Sequence, residues 1–277
     1  MRIALITPEP GHPLLAAATA LLAREHRVET VDPAVDTVVA DPLADVYLLK
    51  ARTPEALALA RDLERRGAAV LNSASATALC QDRTAMAELA DGAGLPFART
   101  RTYTALSQLL ADPGLSFPLV VKSRRSRRHD LVARVDGADR LRELAREWAD
   151  EPVVVQDFTA NSGWDHKLWV IGGRVFAALR RSELAPGGRG PTRSLDPAEL
   201  PPGWAASALR VGEVFALDVY GVDLIDAGGA RPLIVDVNAF PGVRDQAGAP
   251  EALAELALLV GGGARAVSVG QERAHAL

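Results

Sequence analysis

The sequence predicts an α/β chain with α+β lobes: a small parallel α/β domain at the start and an antiparallel-sheet lobe at the end. Three observations carry this. Short apolar runs alternate with helical stretches over residues 1–77, which implies a parallel sheet. Two later pairs of apolar strands meet at glycines, Gly172-Gly173 and Gly228-Gly229, as hairpins do. The 277 residues are 48% hydrophobic and 24% charged, so a sizeable core is easily filled.

Ile3–Ile6 reads as a buried strand, broken at Pro8-Glu9-Pro10-Gly11 and followed by an Ala/Leu-rich helix from Leu14 to Glu25. Val28–Val31, Asp45–Leu49 and Ala69–Leu71 read as further strands, with a helix from Glu55 to Arg66 stopped by Gly67. Thr77 to Gly92 reads as one helix. Leu119–Lys122 and Leu131–Val135 are expected strands flanking a basic stretch, Ser123-Arg124-Arg125-Ser126-Arg127-Arg128. A helix over Asp139–Trp148 and a strand over Val153–Gln156 follow. Lys167–Ile171 and Arg174–Leu179 form the first hairpin. Glu183–Gly203 has no periodicity and is expected to be a long loop. Ala205–Leu217 is helical, Val219–Ile225 and Leu233–Asn238 form the second hairpin, and Glu251–Val260 is the last helix.

The net charge of −4 offers no global basic field for nucleic acid or an anionic membrane, so neither is expected as a partner. No run of about 18 apolar residues suggests a membrane span. The apolar stretch before Pro8 is too short for a signal peptide. A single cysteine, Cys80, excludes a disulfide framework and multi-cysteine zinc sites and suits a reducing, cytoplasmic setting.

The last hairpin carries the chemistry. Side chains alternate along a strand, so Asp236 and Asn238 share a face. A turn closing symmetrically on Gly228-Gly229 sets Asp223 opposite Ile234, on that same face. Asp223 is then the diagonal neighbour of Asp236, about 7–8 Å away at the backbone. Two carboxylates and an amide oxygen are hard ligands, suited to Mg²⁺ and poor for zinc. Both aspartates interrupt apolar strands, where an ionised group is costly unless paired or metal-bound. The plainer alternative is that each bonds a loop backbone or an arginine.

These residues resemble a known family. Gly221-Val222-Asp223-Leu224-Ile225 followed by Asp236-Val237-Asn238-Ala239-Phe240-Pro241-Gly242 resembles the end of the ATP-grasp superfamily. Asp82-Arg83 resembles its Asp-Lys, Phe117–Lys122 its phosphate-contacting lysine strand, and Val155-Gln156-Asp157-Phe158 its Gln-Glu-Phe hinge. Asp165-His166-Lys167, Val170–Val175, Ala177–Arg181 and Arg193-Ser194 are similar to the glutamate-ligase-like, RimK-type branch. The match runs in order from about Asp45 to Gly242. It implies an ATP-grasp fold: an N-terminal α/β domain at 1–77, a central lid at 78–155, a C-terminal lobe with the metal site at 156–265, and a flexible tail at 266–277.

The resemblance further implies an ATP-dependent carboxylate–amine ligase acting through an acyl phosphate, with ATP and Mg²⁺ (Mn²⁺ also fitting) as cofactors. Its partners would be small-molecule or peptide acids and amines, and a homo-oligomer is compatible with it. By the same resemblance, Asp223, Asp236 and Asn238 hold metal. Arg83, Lys122, Gln156, Asp157, Phe158 and Asp165 bind the nucleotide. Arg180, Arg181 and Lys167 act on the transferred phosphoryl group, and Arg193, Arg124 and Arg125 meet the substrate. Arg180 and Arg181 alternate, so only one can point inward. Lys167 shares a face with Asp165 and can simply pair with it. His166 alternates away from both.

Four departures stand out: Asp236 for a common Glu, Arg83 for Lys, Lys167 for Arg, and a basic stretch without glycine where a glycine-rich flap is expected. Arginine side chains can replace flap amides at phosphate, or the stretch is a solvated loop. Two rival functions remain: an ATP-grasp kinase of the inositol-polyphosphate type, for which 124–128 would suit the substrate, and a non-catalytic ATP-binding module.

Overall fold

The computed structural model describes residues 1–185, 188 and 190–263. The expected tail at 266–277 lies outside them. The chain begins with β1 (Arg2–Ile6), α1 (Pro13–Leu22), β2 (Arg27–Val31), β3 (Val46–Leu49), α2 (Pro54–Arg65) and β4 (Val70–Leu71). The strands form a parallel sheet in the order β2-β1-β3-β4. Alternation sorts its side chains into two cores. Ile3, Leu5, Val46 and Leu48 lie under α1, whereas Ala4, Ile6, Tyr47 and Leu49 lie under α2. Thr53 caps α2 by accepting from the Ala56 amide, and Gly67 closes it at φ +87°.

The helix expected over 77–92 is two helices, α3 (Ala74–Leu79) and α4 (Arg83–Gly92). Asp82 leaves helical geometry, at φ −111° and ψ 102°, and its carboxylate accepts from the Thr84 and Ala85 amides. An aspartate that can cap breaks what apolar periodicity alone would continue.

Next come β5 (Thr100–Tyr103), α5 (Leu106–Leu110), β6 (Leu119–Ser123), β7 (Val132–Val135), α6 (Ala138–Trp148) and β8 (Val153–Asp157). They build a second, antiparallel sheet in the order β5-β8-β6-β7. Leu119, Val121, Val135, Val153 and Val155 pack one face against Leu106, Leu109, Leu141 and Leu144 of α5 and α6. The other face stays free for a cleft. Sequence reading missed β5, a polar edge strand, and α5, which is five residues long with no side-chain cap.

The third sheet is antiparallel, in the order β11-β10-β9-β12-β13. Its strands are β9 (Trp164–Ile171), β10 (Arg174–Arg181), β11 (Thr192–Leu195), β12 (Val219–Asp226) and β13 (Pro232–Ala239), with α7 (Trp204–Phe215) before β12 and α8 (Ala249–Gly261) at the end. The stretch expected to be a structureless loop therefore contains β11, which pairs with β10, and a 3-10 turn at Pro197–Glu199 closed by an Asp196/Glu199 capping box. Nothing in Thr192–Leu195 alone signals a strand; its ladder comes from β10. Trp204, Ala208, Val211 and Phe215 of α7 cover the back of the sheet with Leu168, Val170, Val222 and Leu224. The front faces the second sheet.

α8 joins the ends of the chain. Ala252, Leu253, Leu256 and Val260 share a core with α1, β1 and β3. Asn72 adds a polar tether: its amide donates to the Val219 carbonyl at 2.7 Å, and its oxygen accepts from Asp218 and Val219 amides at 2.8 and 2.9 Å. Asn72 is fully buried. Asn72→Ala leaves two buried amides unpaired and is expected to cost about 2–3 kcal/mol. Urea unfolding measures this; a loss under about 0.5 kcal/mol would show that the tether is dispensable.

Candidate active site

The floor of a deep cleft is the front of the third sheet. Strand pairing aligns Ala178, Lys167, Asp223 and Asp236 in one row across β10, β9, β12 and β13. The diagonal register expected for the two aspartates is corrected: Asp223 stands directly opposite Asp236. The reason is a bulge. Leu224 pairs with Ile234 and Asp223 with Asp236, so Val235 is an extra residue on β13. Its carbonyl accepts from the Lys122 ammonium at 2.8 Å. Ile234 is held on its outer side by Pro96 and Ala98, whose backbones bond its amide and carbonyl at 2.8 Å.

Adjacent like charges require cations. Lys167 is buried and ion-paired with Asp223. Arg83 approaches Asp236 at 3.5 Å, Asp130 at 2.6 Å and the Ser123 carbonyl at 2.8 Å. Burial alone would pull Arg83 down, but Asp236 and Asp130 outweigh it and raise its pKa. Burial lowers Lys122, with Arg83 and Lys167 adding to the effect against Asp236 and Asp223. Asp165 pairs in register with Arg180 and is buried; desolvation raises its pKa over the opposing pull of Lys167, and the nearby Asp223 raises it further.

The roof is the free face of the second sheet: Val120, Lys122, Val132, Arg134 and Gln156 line the cleft. Gln156 donates to Thr100 at 3.1 Å. Phe158 lies under the Arg134 guanidinium, 4.0 Å from the ring centre. Asp157 is at the exposed rim.

Of the residues singled out in the sequence, Arg83, Lys122, Gln156, Asp157, Phe158, Asp165, Lys167, Arg180, Asp223 and Asp236 all line this cleft. Arg180 is the inward member of its pair and its buried Nε has no partner. Arg181 pairs with Trp164 in register, on the opposite face, and is not part of the lining. Arg193 pairs with Leu179, also on the opposite face from Arg180, and is exposed. Arg124 and Arg125 are drawn elsewhere. Arg124 grips Asp82 through two bonds of 3.0 and 2.9 Å, and Arg125 reaches the same carboxylate at 3.2 Å. Burial alone would raise Asp82, yet Arg124 and Arg125 hold it below the usual range. Arg127 pairs with Glu151 at 2.7 Å. Arg125, Arg127 and Arg128 are exposed, so the basic stretch is a solvated loop, three of whose arginines pair with acids of its own lobe and none of which lines the cleft.

His166 packs edge-on against Trp204 behind the sheet, and burial lowers its pKa. Cys80 is buried and its thiol is pushed up to about 12 by burial, so it packs as a neutral thiol. Sequence reading missed Asp130, Arg134 and Ser182. Asp130 follows the arginine run and had no signal of its own; Arg134 alternates with the core residues of β7 and could have been placed by that alternation.

Asn238 is two residues beyond Asp236 and opens instead on an adjoining pocket, lined by Lys50, Arg52, Thr77, Phe240 and Gly242. Its cross-strand partner is Gly221, where a Cβ would stand 3.1 Å from Pro241 and 3.3 Å from Trp169. A glycine lets the 239–242 turn fold over the strand. Burial, with Arg52, brings the Lys50 ammonium down to about 8, against a smaller opposing effect of Glu9.

A family model described as a RimK-like ATP-grasp domain matches residues 91–249. A probable alpha-L-glutamate ligase of Thioalkalivibrio sulfidiphilus is 28% identical over 200 residues, 67% of this chain and 64% of that protein. One from Aeromonas salmonicida is 24% identical over 283 residues, 88% of this chain and 90% of its own. This chain therefore spans under two thirds of the first relative and most of the second. Among solved structures, a RimK-domain ATP-grasp protein from Sphaerobacter thermophilus aligns with TM-score 0.73 at 23% identity, covering 92% of this chain and 99% of that one. A D-alanine–D-alanine ligase from Bacillus anthracis aligns with TM-score 0.70 at 17% identity, covering 95% and 99%. These similarities establish an ATP-grasp fold for the chain.

Asp165 offers a test of the floor's electrostatics. Its raised pKa means that stability present while it is protonated is lost as pH climbs through the folded value. Asp165→Asn cannot ionise. Its melting temperature relative to wild type is expected to rise between pH 4 and pH 7. An offset equal at both pH values would show that the carboxylate bears no net desolvation cost.

Proposed function

This chain belongs to the RimK-like ATP-grasp family, and on that premise we propose that it is an ATP-dependent carboxylate–amine ligase joining amino-acid or peptide substrates and releasing ADP and phosphate. The supporting observation is the pair Asp223 and Asp236, side by side on the cleft floor and surrounded by Arg83, Lys122, Lys167 and Arg180. The relatives named as probable alpha-L-glutamate ligases favour glutamate as one of the joined groups.

The donor set fits Mg²⁺ or Mn²⁺. It consists of oxygens alone, and among the described residues no cluster of three or more His, Cys, Asp and Glu offers a competing site. Asp223 and Asp236 would hold the metal from the cleft and Asn238 from the adjoining pocket. A divalent ion there supplies charge neutralisation and alignment for phosphoryl transfer.

The chain's own residues do the rest. Val120, Val132 and the Gln156–Phe158 hinge receive the base and ribose of ATP, with Arg134 fixing the Phe158 ring. Lys122, held on the Val235 carbonyl, meets the inner phosphates. Arg180 presents its unpaired Nε to the transferred phosphoryl group, while Lys167 and Arg83 keep Asp223 and Asp236 oriented. A substrate carboxylate attacks the γ-phosphorus and the bond to the β-phosphate oxygen breaks, freeing ADP. The amine then attacks the acyl carbon, loses its proton and expels phosphate. In this reading residues 1–77 form a pre-ATP-grasp domain, 78–155 the lid and 156–265 the metal-bearing lobe.

The basic stretch at 124–128 would suit a polyphosphorylated substrate of the kinase alternative, and Asp82 and Glu151 already neutralise three of its arginines. Among the described residues no helix is long and apolar enough to cross a membrane.

ADP release from Mg-ATP, screened over pairs of amino acids and short peptides with product mass measured, tests this reading. It is expected to require both an acid and an amine. Asp236→Ala and Arg180→Ala should each lower turnover by about 100-fold or more, while Arg181→Ala stays within about threefold of wild type. Full turnover by Asp236→Ala would remove the metal assignment. ADP release with a polyol and no amine would favour the kinase.

A further inference from the structure

Asp130 is not part of the cleft lining, yet the fold gives it a fixed place and a partner that is. It closes the connection between β6 and β7, and that connection is tied down along its length. Ser123 is fully buried; its amide donates to the Leu131 carbonyl at 2.8 Å and its hydroxyl accepts from the Leu131 amide at 3.0 Å. The Arg124 amide donates to the Pro152 carbonyl at 2.7 Å, and the Arg124 carbonyl accepts from the Arg83 amide at 2.9 Å. The Ser126 amide donates to the Gln81 carbonyl at 2.9 Å. Asp130 stands one residue before Leu131 and directly after His129, which takes a left-handed conformation at φ +60°.

The partner is Arg83, the cation beside the floor carboxylate Asp236. Its Nη1 donates to Asp130 at 2.6 Å and to the Ser123 carbonyl at 2.8 Å, whereas its Nη2 comes only within 3.5 Å of Asp236. The first two are full-strength bonds, and the third is at the outer limit of one. Arg83 is thus seated on the β6–β7 connection and leans toward the floor. The Arg83 and Asp130 side chains are 8% and 14% exposed, so solvent screens their attraction little. Asp223 has no such intermediary, because Lys167 pairs with it closely. Asp236 is therefore the less committed of the two floor carboxylates.

The balance of charge shows what this arrangement does. Asp165 and Arg180 stand opposite each other in register. That leaves Arg83, Lys122 and Lys167 around Asp223 and Asp236, and Asp130 supplies a third acid for the third cation. Without Asp130, the acid left to the Arg83 guanidinium is Asp236, and their attraction grows as the distance shortens. A guanidinium closed on a carboxylate takes up the oxygen lone pairs that a divalent cation needs.

We propose, resting on the metal assignment made above, that Asp130 is a positioning residue of the cleft: it seats Arg83 on the β6–β7 connection, holds the guanidinium back from Asp236, and so leaves that carboxylate open to a divalent cation. The connection then serves the site through the acid at its end, while Arg124, Arg125 and Arg127 fasten it to Asp82 and Glu151.

Mn²⁺ alone, titrated into the full chain and followed by loss of the free ion's paramagnetic resonance signal, tests this, with Asp236→Ala as the blank. Asp130→Asn is expected to weaken Mn²⁺ binding about tenfold, and Asp130→Glu to restore most of it. In an Arg83→Gln background the same Asp130→Asn change should alter binding by less than about twofold, because the effect passes through Arg83. Unchanged affinity in Asp130→Asn overturns the proposal. So does a loss of about tenfold that persists in the Arg83→Gln background, which would make Asp130 a source of field alone. Urea unfolding in EDTA decides the same point without metal, and cooperative unfolding shows that each variant folds. With Arg83 released onto Asp236, the Asp236→Asn change should lower the urea midpoint further in the Asp130→Asn chain than in wild type; equal shifts overturn the proposal. If wild type binds no Mn²⁺, the metal assignment falls, and the two midpoint shifts still decide whether Asp130 holds Arg83 back.

Discussion

Two carboxylates facing each other across adjacent strands are the constraint around which the cleft is built. Asp223 and Asp236 occupy one register position of β12 and β13. Two unit charges about 5 Å apart repel by about 3 kcal/mol at an effective dielectric of about 20. The fold keeps them there by surrounding each with a cation from a different part of the chain: Lys167 from the neighbouring strand, Arg83 from the start of a helix 153 residues before Asp236 in sequence. Removing Asp223 would take the ion-pair partner from the buried Lys167, whereas Arg83 would keep Asp130 if Asp236 were lost. The site is costly to assemble for stability alone, which is why it points to a ligand.

The bulge at Val235 connects this charge cluster to the roof. An unbulged hairpin would set Asp223 opposite a residue other than Asp236 and leave no carbonyl turned toward Lys122. With the extra residue, one irregularity aligns the carboxylates and orients a lysine carried by the other sheet. Floor and roof meet through that bond, through Arg83 between the Ser123 carbonyl and Asp236, and through the Phe97–Ile234 bridge.

The sequence revealed this site through residue type and alternation. Asp236 with Asn238, inward Arg180 or Arg181, and outward His166 all follow from period two, and the strands and most helices were legible because burial enforces their patterns. What escaped lay where one part of the chain answers to another. The bulge changes register without changing composition. Asp82 is an ordinary residue in a helical stretch until its cap and the two arginines 42 and 43 positions later are seen together. β11 has no pattern because β10 supplies its partners. Arg193 looked like a substrate contact from its place in a loop, yet pairing with β10 turns it to the far face.

The basic stretch shows how charge runs mislead when read without their acids. Six residues with four arginines suggest an anion site, yet the Asp82 carboxylate takes two of them and Glu151 a third. Near the first sheet the opposite holds. Lys50 and Arg52, two residues apart, form no run, and among the described residues no acid makes an ion pair with them. A functional anion site is recognised by cations whose charge the fold leaves uncompensated in a concave place, and their density in the sequence is a poor guide to that. A single strand, β13, presents a carboxylate to the cleft and, two residues on, an amide to the adjoining pocket.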